Sequence, residues 1–139
     1  IHPKNKQEVG RRLALLALDR VYGREVPQGA CSPMLRQVAV AKDRAAMSVL
    51  WDHVGGGLRV RAGGDDVRGF ELAGADQRFV PASARIEGAD TVVVTAPGVL
   101  EPVAVRYAFR DVPDANLVNS AGLPAAPFRS DDWPRKAVK

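Results

Sequence analysis

Cysteine is nearly absent from this 139-residue sequence, where Cys31 stands alone. A single cysteine excludes an intrachain disulfide and leaves Cys31 as a small apolar filler. Histidine is almost as scarce, with only His2 and His53. Two distant histidines and one cysteine spell out no metal-ligand cluster. No apolar run approaches the ~20 residues that span a bilayer. The run from Leu13 to Leu18 is far too short. Strong charge of one sign is lacking too. Lys and Arg number 20 against 16 Asp and Glu, a net charge of +4. The basic residues are scattered among acidic ones, with adjacent pairs only at Arg11-Arg12 and Arg135-Lys136. Aromatic residues are not interleaved with them as a single-strand groove requires, so no nucleic-acid partner is expected.

What is present is ordinary for a globular domain. Hydrophobic residues make up 46% and charged residues 26%, and the length suffices for one domain with a real core. The start of the chain is the most structured stretch in sequence terms. Pro3 presets φ near about −65° and suits the first turn of a helix. Asn5 is a good N-cap, and Glu8 stands where a side chain can reach back to it. Such a cap is worth ~1 kcal/mol. Val9, Leu13, Leu16 and Ala17 share a face that Leu15, Leu18 and Val21 widen, and Gly23 ends the helix. His2 therefore sits on a short turn pinned by a proline and a capped helix. A side chain held in a fixed direction is what a general base needs. The alternative is a solvated histidine with no task.

Residues 24 to 33 hold Pro27, Gly29, Ser32 and Pro33 and read as a linker or crossing loop. Beyond it the helical period gives way to short β-like runs. Met34 to Ala41 alternates with Met34, Val38 and Val40 on one side. Ala45 to Trp51 follows, with Met47, Val49 and Trp51 on one side, and the Lys42-Asp43-Arg44 turn makes a hairpin of the two. Gly55-Gly56-Gly57 suggests a phosphate loop at first sight. No Lys-Ser/Thr pair and no helix follow, so it reads as a tight turn or bulge.

Leu58 to Ala62, Phe70 to Ala73, and one or two strands around Pro81 within Phe79 to Ile86 come next. Thr91 to Thr95 is dense in β-branched residues and reads as a central strand. Val103, Val105, Tyr107 and Phe109 alternate with smaller or polar residues and give the clearest strand signal. Strands at this spacing predict a mainly β chain, a β-sandwich of jelly-roll type. From Asp111 the chain reads as loop, yet it carries Leu117, Leu123, Phe128 and Trp133, which must pack on something. Residues 136 to 139 are expected to fray.

The order of motifs resembles a known family. His2-Pro3-Lys4-Asn5-Lys6 with the following helix resembles the end of the esterase domain of the sialate O-acetylesterases, carbohydrate acetylesterases of the Ser-Gly-Asn-His hydrolase type. The resemblance continues in Trp51-Asp52-His53-Val54-Gly55-Gly56-Gly57-Leu58, in residues 69 to 76 and in residues 102 to 107. It is strongest in Asn116-Leu117-Val118-Asn119 and in residues 122 to 129.

The resemblance implies hydrolysis of an acetyl ester on a sugar hydroxyl by a Ser-His-Asp mechanism, with His2 as the general base. The serine, the aspartate and the oxyanion donors would lie upstream of residue 1. The five serines that carry no nucleophile motif, Ser32, Ser48, Ser83, Ser120 and Ser130, read as turn or surface residues. The resemblance implies no cofactor and no metal. It implies two partners: an acetylated carbohydrate and the N-terminal esterase portion of the same protein. No signal peptide is read at the start, and a periplasmic or secreted protein is implied. Residues 1–24 would be the last helix of an α/β esterase domain and residues 25–139 the sandwich, inactive alone. The substrate would be O-acetylated sialic acid, or else plant cell-wall polysaccharide such as xylan or xyloglucan. A reading from another class is a non-catalytic module that binds sugar or packs domains. Trp133, Tyr107 and Trp51 are its candidate aromatics, although strand alternation puts Trp51 and Tyr107 in the core. His53, Asn116 and Asn119 fall in the resembling segments but read as turn residues.

Overall fold

The computed structural model describes residues 4–26, 29–41 and 45–134. His2, the expected turn Lys42-Asp43-Arg44 and residues 135–139 lie outside the described residues. Among the described residues one helix, α1 (Lys6–Arg20), precedes ten strands: β1 (Met34–Val40), β2 (Met47–Asp52), β3 (Leu58–Val60), β4 (Phe70–Ala73), β5 (Val80–Pro81), β6 (Ser83–Glu87), β7 (Thr91–Thr95), β8 (Ala104–Tyr107), β9 (Leu117–Asn119) and β10 (Phe128–Arg129). The chain is therefore mainly β behind a single helix, as expected. No helix among the described residues is long and apolar enough to cross a membrane.

The described strands pair antiparallel throughout. They form one sheet in the order β1-β2-β7-β6, a second in the order β10-β8-β4-β5, and a small β3-β9 pair. The two large sheets share one core. Met47, Val49, Trp51, Val92 and Val94 come from the first, and Phe70, Leu72, Val105 and Tyr107 from the second. Burying side chains of this size contributes roughly 1.5–3 kcal/mol each. Trp51 stands at the centre with rings at right angles, 5.5 Å from Tyr107 and 5.4 Å from Phe128. Its indole N–H has no hydrogen-bond partner among the described residues.

The sandwich was expected; its winding is more specific than the expectation. The two strand orders are those of an immunoglobulin-type sandwich, A-B-E-D on C′-C-F-G, rather than of a jelly roll. Alternation locates strands but says nothing about which of them pair. The crossing between sheets shows the same limit. β5 belongs to the second sheet and β6 to the first, and only Ala82 separates them.

Two strands depart from simple alternation. In β1 the register slips between Leu35 and Gln37, a bulge at Arg36. Leu35 and Val38 consequently both pack on the core, while Met34 and Val40 are exposed. A one-residue slip moves side chains to the other face. Beyond β8, Ala108 takes φ of 49°. Phe109 therefore leaves the inward row of Val105 and Tyr107 and lies half-buried beside Arg106. The C-terminal stretch is less loop-like than expected, because β9 and β10 pair with β3 and β8. Its Leu117 and Leu123 are buried, which fits the expectation that it packs across the sandwich.

Candidate functional site

The helix is built as the sequence implies. The Asn5 side chain accepts from the Glu8 N–H at 3.0 Å. Glu8 does not complete a reciprocal box. Its carboxylate instead accepts from Arg11 and Arg12, each Nε at 2.8 Å. Those two guanidinium groups, Arg11 first, lower its pKa from 4.5 to about 2. Gly23, at φ of 59°, turns the chain out of the helix, and the Arg24 N–H donates to the Leu18 carbonyl at 2.9 Å.

No residue of α1 is buried. Val9, Leu13 and Leu16 are exposed, Leu13 by 63%. An apolar stripe of this kind is what a helix buries when it belongs to a core. A side-chain link from the helix to the sandwich side is Arg20 Nη2 to Cys31 Sγ, at 3.8 Å and exposed. The helix that carries the expected base thus presents its apolar side outward.

The resembling segments of the sandwich are brought together, but for bonding rather than chemistry. Asn119 is 1% exposed. Its Nδ2 donates to the carbonyls of Cys31 and His53, at 3.0 and 3.1 Å. Its Oδ1 accepts from the N–H groups of Ala121 and Leu123, at 3.1 and 2.9 Å. All four hydrogen-bonding positions of the amide are used. Asn116 does the same on a smaller scale, accepting from the Arg68 N–H and donating to the Asp66 carbonyl. The Ala126 N–H donates to the Pro33 carbonyl at 2.8 Å. The C-terminal strap therefore ties down the chain between the helix and β1.

The triple glycine is a turn. Ser120 Oγ accepts from the Gly56 N–H at 2.8 Å, and Gly57 takes φ of 118°. Ser130 Oγ likewise accepts from the Val105 N–H at 2.9 Å. Ser48 and Ser83 lie in β2 and β6, and Ser32 in the loop before β1. The imidazole of His53 is exposed, on a backbone with φ of 60°. Among the described residues no group of three or more His, Cys, Asp and Glu is placed to hold a metal. Trp51 and Tyr107 are only 0% and 1% exposed, so they cannot meet a sugar. Tyr107 instead accepts the Leu117 N–H on its hydroxyl at 3.1 Å. Burial pushes its phenol pKa up.

One cluster was not foreseen. On the outer face of the second sheet, Arg106 donates through Nε and Nη2 to the Asp131 carboxylate at 2.8 and 2.7 Å. Asp131 is 1% exposed at its side chain, and Arg129 adds a contact at 3.5 Å. Arg106 holds the Asp131 carboxyl below its usual range. The Arg106 guanidinium lies 3.8 Å over the Phe79 ring, and Trp133 packs on Phe79 at 5.6 Å. The outward register of Arg106 between Val105 and Tyr107 was a legible signal. Its pairing with a residue 25 positions later was not.

No protein-family model matches the chain, and no curated protein matches it. Among solved structures it is similar to the crystal structure of XAC1771, a novel carbohydrate acetylesterase from Xanthomonas citri. The two share 44% identity over 95% of this chain, with a TM-score of 0.86. The chain spans 29% of the length of that protein. Identity at this level over nearly every residue makes the likeness one of relationship and not of fold alone.

Proposed function

We propose that the chain is the C-terminal portion of a carbohydrate O-acetylesterase. The observation that carries this is the 44% identity to part of a carbohydrate acetylesterase. The exposed apolar stripe of α1 supports it, because a further packed domain would cover it. In this reading residues 1–24 complete that domain and residues 25–139 form the sandwich beside it.

His2 is the general base. A serine outside this chain attacks the acetyl carbonyl carbon while the imidazole takes the hydroxyl proton. An aspartate, also outside, holds the imidazole in the required tautomer, and oxyanion donors stabilise the tetrahedral intermediate. The imidazolium returns its proton to the departing sugar oxygen. Water then repeats the sequence on the acetyl-enzyme and releases acetate. The substrate is an O-acetylated sialic acid or related sugar. The runner-up substrate is an acetylated plant cell-wall polysaccharide, xylan or xyloglucan. A second reading is a non-catalytic module. The saturated bonding of Asn119 and the two backbone bonds of Asn116 favour it, because those side chains of the resembling segments hold structure.

The test is His2→Ala in the full-length protein. A chromogenic acetyl ester is assayed first, then O-acetylated sialic acid and acetylated xylan. Turnover is expected to fall by about 10²–10⁴-fold with the circular dichroism spectrum unchanged. Retained turnover would overturn the base assignment and leave the non-catalytic module. The 139-residue chain assayed by itself is expected to release no acetate.

A further inference from the structure

At the end of the sandwich opposite the helix, two loops enclose a groove. β1 starts at Met34, paired with Asp52, whereas β7 runs from beside Leu50 to Thr95 at the far end. The loop after β7 and the turn between β4 and β5 therefore meet at that far end. The Val103 N–H donates to the Ala73 carbonyl at 2.9 Å and ties them together. The groove between them encloses about 650 Å³ and is lined by Asp76, Arg78, Phe79, Leu100 and Glu101, among others.

Three features make this groove a candidate ligand site. First, its aromatic is held in place. Phe79 is half-buried, with Arg106 stacked over one face and Trp133 against it. Arg106 is in turn fixed by two bonds to the buried Asp131 carboxylate. A ring locked by its surroundings binds a ligand without losing rotamer freedom. Second, its polar side chains are unspent. Among the described residues, neither Arg78 nor Glu101 has a side-chain hydrogen bond or ion pair, and Asp76 accepts only the Arg78 N–H at 3.1 Å. In the neighbouring groove around Phe109 four of the lining charges are already paired, Arg68 with Asp114 and Arg110 with Glu71. Third, the rim carries an exposed apolar side chain, Leu100, at 79%.

We propose that this groove binds a neutral oligosaccharide. A sugar ring offers an apolar C–H face and a rim of hydroxyls. The first fits Phe79 and Leu100, and the second fits carboxylates that accept and a guanidinium that donates. Two carboxylates against one guanidinium make the lining net negative, −2 and +1, which repels an anionic sugar. The inference rests on the carbohydrate-esterase reading for the class of ligand.

Nuclear magnetic resonance titration of the full chain with xylohexaose, and separately with sialyllactose, tests it. Saturable amide shifts confined to residues 74–80 and 97–101 are expected with xylohexaose and not with sialyllactose. Glu101→Ala, on an exposed loop, is expected to weaken binding about tenfold. Phe79→Ala is expected to abolish it and Phe79→Tyr to retain it. Absent shifts, shifts on another surface, preference for sialyllactose, or an unchanged affinity in Glu101→Ala would each overturn the proposal. His2→Ala is expected to bind as the wild type does. Binding by this chain while the full-length protein releases no acetate would therefore fail the catalytic reading alone, and full-length activity without binding by this chain would fail this one alone.

Discussion

Asn119 shows how one buried polar side chain can organise three segments of chain. Its amide reaches the carbonyls of Cys31 and His53 and the N–H groups of Ala121 and Leu123. Removing it leaves those groups without that partner, at about 1–3 kcal/mol for each one that water does not reach. Asn119→Ala is thus expected to lower the unfolding free energy by about 2–4 kcal/mol. Asn119→Asp is expected to be comparably harmful, because a carboxylate cannot donate to the two carbonyls. Urea unfolding of both variants checks this. Equal stability of Asn119→Ala and the wild type would contradict the bonding role. The sequence reads Asn119 as a turn residue, which accounts for its bonds to Ala121 and Leu123. Two of its four partners lie 88 and 66 residues away, beyond the reach of any local pattern. Trp51 and Tyr107 were easier, since alternation within β2 and β8 already pointed them inward.

Among the elements, α1 was the most legible, because its signals are local. Asn5 caps it and Gly23 turns the chain beyond it. The fate of Glu8 was not legible. Both the cap and the arginines are within its reach, and the doubly charged side won. Its lowered pKa fixes the sign of a pH effect. The folded-state value, about 2, lies below the ordinary 4.5. Its contribution to the helix is therefore complete above about 4.5 and is lost as pH falls towards 2. Helical ellipticity is expected to drop across that window in the wild type. In Glu8→Gln the drop is expected to be smaller, and added salt to flatten it in the wild type. An identical acid profile in both proteins would show that the triad of charges does not matter to the helix. The strands were legible in number and place but not in detail. The bulge at Arg36 and the positive φ at Ala108 each reverse a row of side chains, and neither residue type announces it.

At the scale of the whole molecule, a mainly β sandwich behind one helix could be read from turn signals and alternation. The A-B-E-D and C′-C-F-G orders could not, because pairing depends on contacts far apart in sequence. The helix poses the question that remains at this scale: it carries apolar side chains and buries none of them. A helix that contributed to the sandwich core would lose stability on truncation of its leucines, by about 2–5 kcal/mol at a buried site. Leu13 is 63% exposed, so Leu13→Ala is expected to leave the unfolding of the 139-residue chain unchanged within about 0.5 kcal/mol. In the full-length protein the same change is expected to cost the buried-site amount, because there the stripe would be covered by the α/β domain. Thermal unfolding of both forms makes the comparison. A cost in the full-length protein alone supports the assignment of residues 1–24 to the esterase domain. A cost in neither would mean that the helix face stays in solvent. The base would then have no packed helix to hold it in place.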